Sequence, residues 1–302
     1  MISSDPLADV LNVLGAKSVR RTRLEASGHW ALAFPPQARL KFVALLRGAC
    51  WILVPGHPPQ PLAAGDVFLI GDIAYAVASD PEVVPADGMA LYNEPRCDVV
   101  RLGGDDTVML GGGIAFDNAG TGFLLEGLPR FLRIDGTSPS ARTVSRMLDL
   151  LEAEVGHTRP GAALVTIRLA EVLLVEAIRA YIADQGETCA GWIGALGDRQ
   201  IGEALRLMHG EVGFPWTVAS LATRVGMSRS AFSARFVSRV GQPPLEYLTQ
   251  WRMMLARRLL DAGNTDVASV ALRVGYVSQS AFGHAFRRTF GHSPRRKNKH
   301  GI

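Results

Sequence analysis

The chain has 302 residues, 48% of them hydrophobic, which is enough for two domains and too apolar for a disordered or fibrous class. Its formal charge of +4 hides a division: residues 199–302 hold 16 Lys and Arg against 5 Asp and Glu, and residues 1–198 hold 16 against 23. The first 24 residues carry Asp5, Asp9, Lys17, Arg20, Arg21 and Arg23 without a long apolar run, which argues against a secretory leader or a membrane span and makes the cytoplasm the expected compartment.

From about Leu24 to Arg133 the chain reads as short β-type runs broken by Gly and Pro: WALAF, KFVALLRG, ACWILVPG, GDVFLIG, AYAVAS, DVVRLGG and TVMLGGGIAF. That spacing predicts a small antiparallel β barrel or sandwich. An apolar barrel interior is where a small ligand would sit, so Phe42, Trp51, Phe68 and Tyr75 are candidates both for an effector pocket and for plain core. Before residue 199 the histidines are His29, His57 and His157, too far apart in sequence for a compact ligand motif, and no metal or cofactor is expected. Cys50, Cys97 and Cys189 are too scattered for a disulfide framework or a zinc site. Buried or idle thiols are the plain reading and a redox sensor the alternative.

After Pro139 the period turns helical. SARTVSRMLDLLEAEV repeats Val144, Met147, Leu148 and Leu151, and AALVTIRLAEVLLVEAIRAYI has Leu164, Ile167, Leu174, Ile178 and Ile182 among further apolar positions. The second segment is apolar on more than one face, which suits burial against two partners within the chain or a dimer contact.

The C-terminal third then writes one unit twice. At an offset of 50, Ser228, Ser230-Ala231-Phe232, Phe236, Gly241 and Pro244 match Ser278, Ser280-Ala281-Phe282, Phe286, Gly291 and Pro294. Upstream the offset is 49, and Val218, Ala219, Ala222, Val225 and Gly226 match Val267, Ala268, Ala271, Val274 and Gly275. Each copy reads helix, glycine turn, helix, with Thr217 or Asp266 capping the first helix and Ser228 or Ser278 the second. A 100° step places Phe232, Phe236 and Val240 on one face, and likewise Phe282, Phe286 and Phe290, so these faces are core. Between the copies, PLEYLTQWRMMLARRLLDAG carries an apolar stripe of Leu248, Trp251, Leu255 and Leu259 that stops at Gly263. A short helix, a tight turn and an aromatic-anchored second helix make up the helix-turn-helix plan, in which the second helix enters the major groove. Two copies on a basic segment, joined by a rigid helix, point to one chain reading two successive grooves of double-stranded DNA.

From about Trp192 to Arg296 the sequence resembles the DNA-binding domain of the AraC/XylS family of bacterial transcription regulators, on WTVASLATRVGMSRSAFSARF, RMMLARRLL and VASVALRVGYVSQSAFGHAFRRTFGHSP. Carried over by position, the resemblance implies base-edge readers Ser230, Ser233 and Ala234 in the first copy and Gln279, Ser280 and His284 in the second. The first reader presents no Arg, Asn or Gln outward and is expected to discriminate loosely, whereas His284 and Arg287 can address guanine N7 or O6. Arg229, Arg288 and the linker-side arginines suit phosphates, and intramolecular pairing is the competing account for Arg235, Arg239 and Arg258. The tail departs from the family's usual ending, and its Arg295 and Arg296 would add phosphate affinity.

The β-rich part resembles the cupin-type sensor found ahead of this domain in one branch of the family, on the Gly48 and Gly65-Asp66 turns and Trp51. Where metal-binding cupins place histidines, this chain has Val43 and Tyr75. The expected organisation is a multidomain α and β chain: a cupin-like antiparallel barrel over 1–138, a helical linker or dimerisation segment over 139–191, and an all-α domain with two helix-turn-helix units over 192–302. The expected function is an effector-responsive regulator without catalysis, with DNA, a small-molecule effector, a homodimer partner and, for an activator, RNA polymerase as partners. The rival is a metal-dependent cupin oxygenase or isomerase tethered to DNA. An alkyl-transfer repair role would need a Cys-x-x-Cys pattern that the sequence lacks.

Overall fold

The β-type runs form strands that pair into two sheets. The computed structural model describes residues 5–14, 17–37, 39–92, 98–115, 130–155, 160–185, 191–263 and 265–294. Its strands are β1 (Lys17–Ala26), β2 (Ala31–Phe34), β3 (Leu40–Arg47), β4 (Ala49–Leu53), β5 (Gln60–Ala63), β6 (Val67–Ile70), β7 (Tyr75–Ala78), β8 (Ala86–Asp87), β9 (Val99–Leu102), β10 (Thr107–Ala115) and β11 (Phe131–Ile134). One sheet runs β11-β6-β3-β10-β1-β9 and the other β5-β4-β7-β2-β8.

The expected closed antiparallel barrel is corrected on two counts. The sheets are separate and open, and two edge pairings, β1 with β9 and β2 with β8, are parallel. Between them lies a core that includes Leu24, Leu32, Val43, Leu45, Ile52, Phe68, Val77 and Met109. The turn predicted at Gly65-Asp66 is held by Asp66, whose buried carboxylate accepts from the Ala63 and Gly136 amides at 2.9 Å each and pairs with Arg133 at 2.8 Å.

The chain clusters as two units: the sheets with the residues up to 185, and residues 5–14 with 191–294. This grouping differs from the expected division. The helices α3 (Arg142–Val155) and α4 (Ala162–Gln185) go with the sheets, α2 (Gly88–Tyr92) lying earlier in the same unit, whereas α1 (Pro6–Leu14) goes with the C-terminal helices. On α4, Ala170, Leu173, Leu174, Ala177 and Ile178 are buried, and Leu164, Val165 and Val172 are exposed. Leu164, read as an apolar-stripe position, therefore faces solvent at 60% exposure.

The helical unit adds α5 (Gly191–Ala195), α6 (Arg199–Gly210), α7 (Val218–Arg224), α8 (Arg229–Val240), α9 (Pro244–Asp261), α10 (Val267–Arg273) and α11 (Gln279–Phe290). The 18 residues of α9 span about 27 Å. It buries a wider face than the expected stripe: Tyr247, Leu248, Trp251, Met253, Met254, Ala256 and Leu260, with Leu255 and Leu259 only half-buried. A linker helix flanked by a helix pair on each side must be apolar in two directions, and a single i, i+3, i+7 stripe undercounts it. No helix among the described residues is long and apolar enough to cross a membrane.

Candidate functional site

Local chemistry builds the two helix pairs in the same way. Thr217 accepts from the Ser220 amide at 3.0 Å and Asp266 from the Ser269 amide at 2.9 Å, while Ser228 and Ser278 accept from the Ala231 and Ala281 amides at 3.2 Å each. These caps satisfy orphan N–H groups at the start of all four helices. Left-handed Gly241 and Gly291 end α8 and α11. At the second inter-helix turn Gly275 has φ +85°, and a Cβ there would come within 2.9 Å of the Gly213 carbonyl oxygen, so only glycine fits.

Phe232, Phe236, Phe282 and Phe286 are fully buried, so α8 and α11 turn their opposite faces outward. Ser230, Ala234 and Arg229 are exposed on α8, and Ser233 is half-buried. On α11, Gln279, Ser280, His284, Arg287 and Arg288 are all exposed. Phe290 is half-buried, under Arg257 at 4.9 Å from its ring. Arg295 and Arg296 lie outside the described residues.

The arginines divide sharply. Arg235 and Arg239 converge on one Asp198 oxygen at 2.9 and 3.3 Å, and Asp198 also caps α6 through the Gln200 and Ile201 amides. Burial pushes the Asp198 carboxyl up, but these amides and Arg235 together hold it below its ordinary value. Among the linker-side arginines read as phosphate contacts, Arg252 is already committed: it donates to the Val212 and Phe214 carbonyls at 2.9 and 2.7 Å. Arg257 stands 3.8 Å from Asp261. Arg258, Arg229, Arg287 and Arg288 make no ion pair among the described residues, which leaves their guanidinium groups available.

The helical unit also holds a buried polar cluster that the sequence reading missed. His209 stacks on Trp251 with ring centroids 4.1 Å apart, and its Nε2 lies 2.9 Å from the Tyr247 hydroxyl. Its Nδ1 faces Asp9 of α1 at 3.6 Å, beyond hydrogen-bond reach. Burial lowers the His209 pKa, against the opposing pull of Asp9 and Asp5.

In the sheet unit a cavity opens between the sheets, enclosing about 30 Å³ and about 320 Å³ with its mouth included. Leu24, Val43, Val77 and Met109 give it aliphatic walls, Phe34, Tyr75 and Tyr92 aromatic ones, and Thr22, Lys41 and Gly111 complete it. Of the four expected lining residues only Tyr75 is there. Phe42 is buried on the other face of β3, where the missing side chain of Gly112 makes room for its ring; Phe68 is core packed edge-on to Tyr75; Trp51 is half-buried elsewhere on β4. Lys41 places its ammonium 4.2 Å from the Phe34 ring centroid and 5.1 Å from that of Tyr75, whose rings stack at 5.0 Å. Burial, and then Arg39, draws its pKa down to about 8. Cys50 is buried nearby in the core with its thiol pushed up to about 12 by burial and by Asp66, which makes it a poor nucleophile; Cys97 and Cys189 lie outside the described residues.

A helix-turn-helix domain model matches residues 221–300, and a cupin model matches residues 5–183. A Streptomyces lividans protein described as an AraC-like transcription regulator is 38% identical over 299 residues, 98% of each chain. The chain belongs to the AraC-like transcription regulators. The HTH-type transcriptional regulator AlkR of Acinetobacter baylyi is 29% identical over 305 residues, 96% of this chain and 98% of that one. Among solved structures, the DNA-binding domain of AdpA in complex with a target DNA is 36% identical over 32% of this chain and 86% of that one, with a TM-score of 0.31. This AraC-like regulator is a DNA-binding transcription regulator with a cupin N-terminal part.

Cupins can hold a metal, and the cavity of this regulator does not fit one. Val43 and Tyr75 stand where metal-binding cupins would have histidines, both line the cavity, and none of the described lining residues is a histidine, a cysteine or a carboxylate.

Proposed function

We propose that this regulator reads two successive major grooves, with α8 in one and α11 in the next, and that a small molecule in the inter-sheet cavity alters how it engages its operator. The observation that carries the reading is the pair of capped, phenylalanine-anchored helices whose exposed faces hold small, polar and basic side chains, with Arg229, Arg287 and Arg288 making no ion pair among the described residues. In this reading Ser230, Ser233 and Ala234 make loose base contacts and Gln279, Ser280, His284 and Arg287 make specific ones. Arg229 and Arg288 hold phosphates, joined by Arg295 and Arg296. Leu164, Val165 and Val172 on α4 offer an apolar face to a second copy of the chain, and an activating role would add RNA polymerase as a partner. Catalysis has no part in it, and a DNA-tethered cupin enzyme is disfavoured by the donor-poor cavity.

The test is selection of bound sites by the full chain from a random duplex library at fixed salt. Enrichment of two unlike half-sites about 10 base pairs apart, one helical turn, is the expected result. Enrichment of a single half-site would retire the two-groove reading.

A further inference from the structure

The inter-sheet cavity has an imbalance of hydrogen-bonding partners. Its ammonium, on Lys41, touches only aromatic faces and has no carboxylate partner among the described residues. The Tyr75 hydroxyl is buried and makes no hydrogen bond among them. Just behind, the Nε of Arg39 is buried and equally unpartnered, near enough to Lys41 and Tyr75 to act on their titration. The Tyr92 hydroxyl, by contrast, donates to the Arg23 carbonyl at 3.3 Å. Gly111 and Gly113 of β10 make room on this side: a Cβ on Gly111 would sit 2.6 Å from the Thr22 hydroxyl, and one on Gly113 would lie 3.4 Å from the Arg39 Nε.

Buried donors without acceptors are costly, and a native protein that keeps two of them beside a half-buried ammonium has left the acceptor for all three to come from elsewhere. Two of the three are cations, and no Asp or Glu among the described residues lines the cavity, so the missing partner carries negative charge. The aliphatic and aromatic walls require the rest of it to be apolar. The enclosed space is only about 30 Å³, and the larger figure of about 320 Å³ takes in the open mouth, so the ligand must be small, with much of its apolar body lying in the mouth.

We propose that the inter-sheet cavity is an anion site whose ligand is a small carboxylate with an apolar body, its head group received by Lys41 and the Tyr75 hydroxyl. The proposal rests on the effector reading above and adds the ligand's chemical class. Lys41 is the counter-ion and Tyr75 the oriented donor; Arg39 supplies positive potential from behind and touches no ligand atom.

The experiment follows thermal unfolding of the full chain at pH 7 with acetate, butanoate and hexanoate, each beside its primary amide, and with inorganic phosphate. A saturable rise in Tm with butanoate or hexanoate, at concentrations at least about tenfold below those the amide needs, is the expected result. Lys41→Met should abolish the preference for acid over amide while keeping the apo Tm at or above that of the unmodified chain, because it removes a buried charge. Lys41→Arg, which keeps the charge, should retain part of the preference, and Tyr75→Phe should weaken acid binding about tenfold. Equal shifts from acid and amide, or a phosphate shift as large as that of the acids, would overturn the proposal. So would the absence of any saturable acid effect up to about 20 mM. In that last case, half-site selection by the same preparation separates the two readings: if selection persists, the ligand class has failed and the DNA reader stands; if it is lost as well, both fall.

Discussion

The two helix pairs share an inside and differ on the outside. In each, two buried phenylalanines one turn apart anchor the second helix, at ring separations of 5.7 Å in both copies, and the same Ser side chain caps it. The first pair commits Arg235 and Arg239 to Asp198 and leaves Arg229 unpaired, whereas Arg287 and Arg288 of the second both lack an ion pair among the described residues. The two copies agree in what the fold needs and differ in their outward chemistry. In the proposed reading, that difference goes with looser contacts from the first copy and base discrimination by the second.

The largest effect tests the shared inside. Phe232→Ala and Phe282→Ala should each cost about 3 to 5 kcal/mol in urea unfolding, and a large inequality between them would break the equivalence of the two pairs. Next is the asymmetry itself. Asp198→Ala removes the α6 cap and both arginine contacts, so a loss of about 2 kcal/mol is expected. The two released guanidiniums should then steepen the salt dependence of duplex binding by up to about two units.

Sharper still is a substitution pair on α11. His284→Ala should relax selection at particular base pairs by about 1 to 2 kcal/mol, whereas Arg288→Ala should weaken all duplexes alike and flatten the salt slope by about one unit. The same effect from both would undo the division into reader and phosphate contact.

The smallest effect concerns pH. Burial holds the folded-state pKa of His209 below its unfolded value, so the unfolded chain takes up more protons as pH falls. Stability from this group is complete above about 6.5 and declines in acid by at most about 1.4 kcal/mol per pH unit. Asp9, Asp5, Tyr247 and Trp251 face the ring, and of these the two carboxylates oppose the shift. Urea melts at pH 7 and pH 5.5 should show this decline in the parent chain and not in His209→Gln.

Legibility followed the range of the interactions. The helix pairs were readable because their caps, glycines and phenylalanine spacing are local signals, complete within about 25 residues. The strand β1 is legible in the sequence only from Leu24 onward, because Lys17, Arg20, Arg21 and Arg23 hide a strand that pairs on both sides, with β9 and β10. The cavity is only half legible, through parity: side chains alternate along β3, so Lys41 and Val43 line it while Phe42 between them faces the other way, and sequence alone does not say which parity points inward. Asp198 carried no sign that it would meet arginines 37 and more residues onward, and a short N-terminal helix gives no hint that its partner is α9.

That helix has a practical bearing on how the DNA reader should be cut out for study. Leu7 and Val10 are buried, and Asp9 faces His209 across the contact with the C-terminal helices. A clone beginning at residue 192 would therefore lay bare apolar surface that the whole chain keeps covered, and its poor solubility could be mistaken for a property of the reader. Supplying residues 5–14 through a flexible tether, or as a separate peptide, would restore the missing piece and give the excised reader a fair trial.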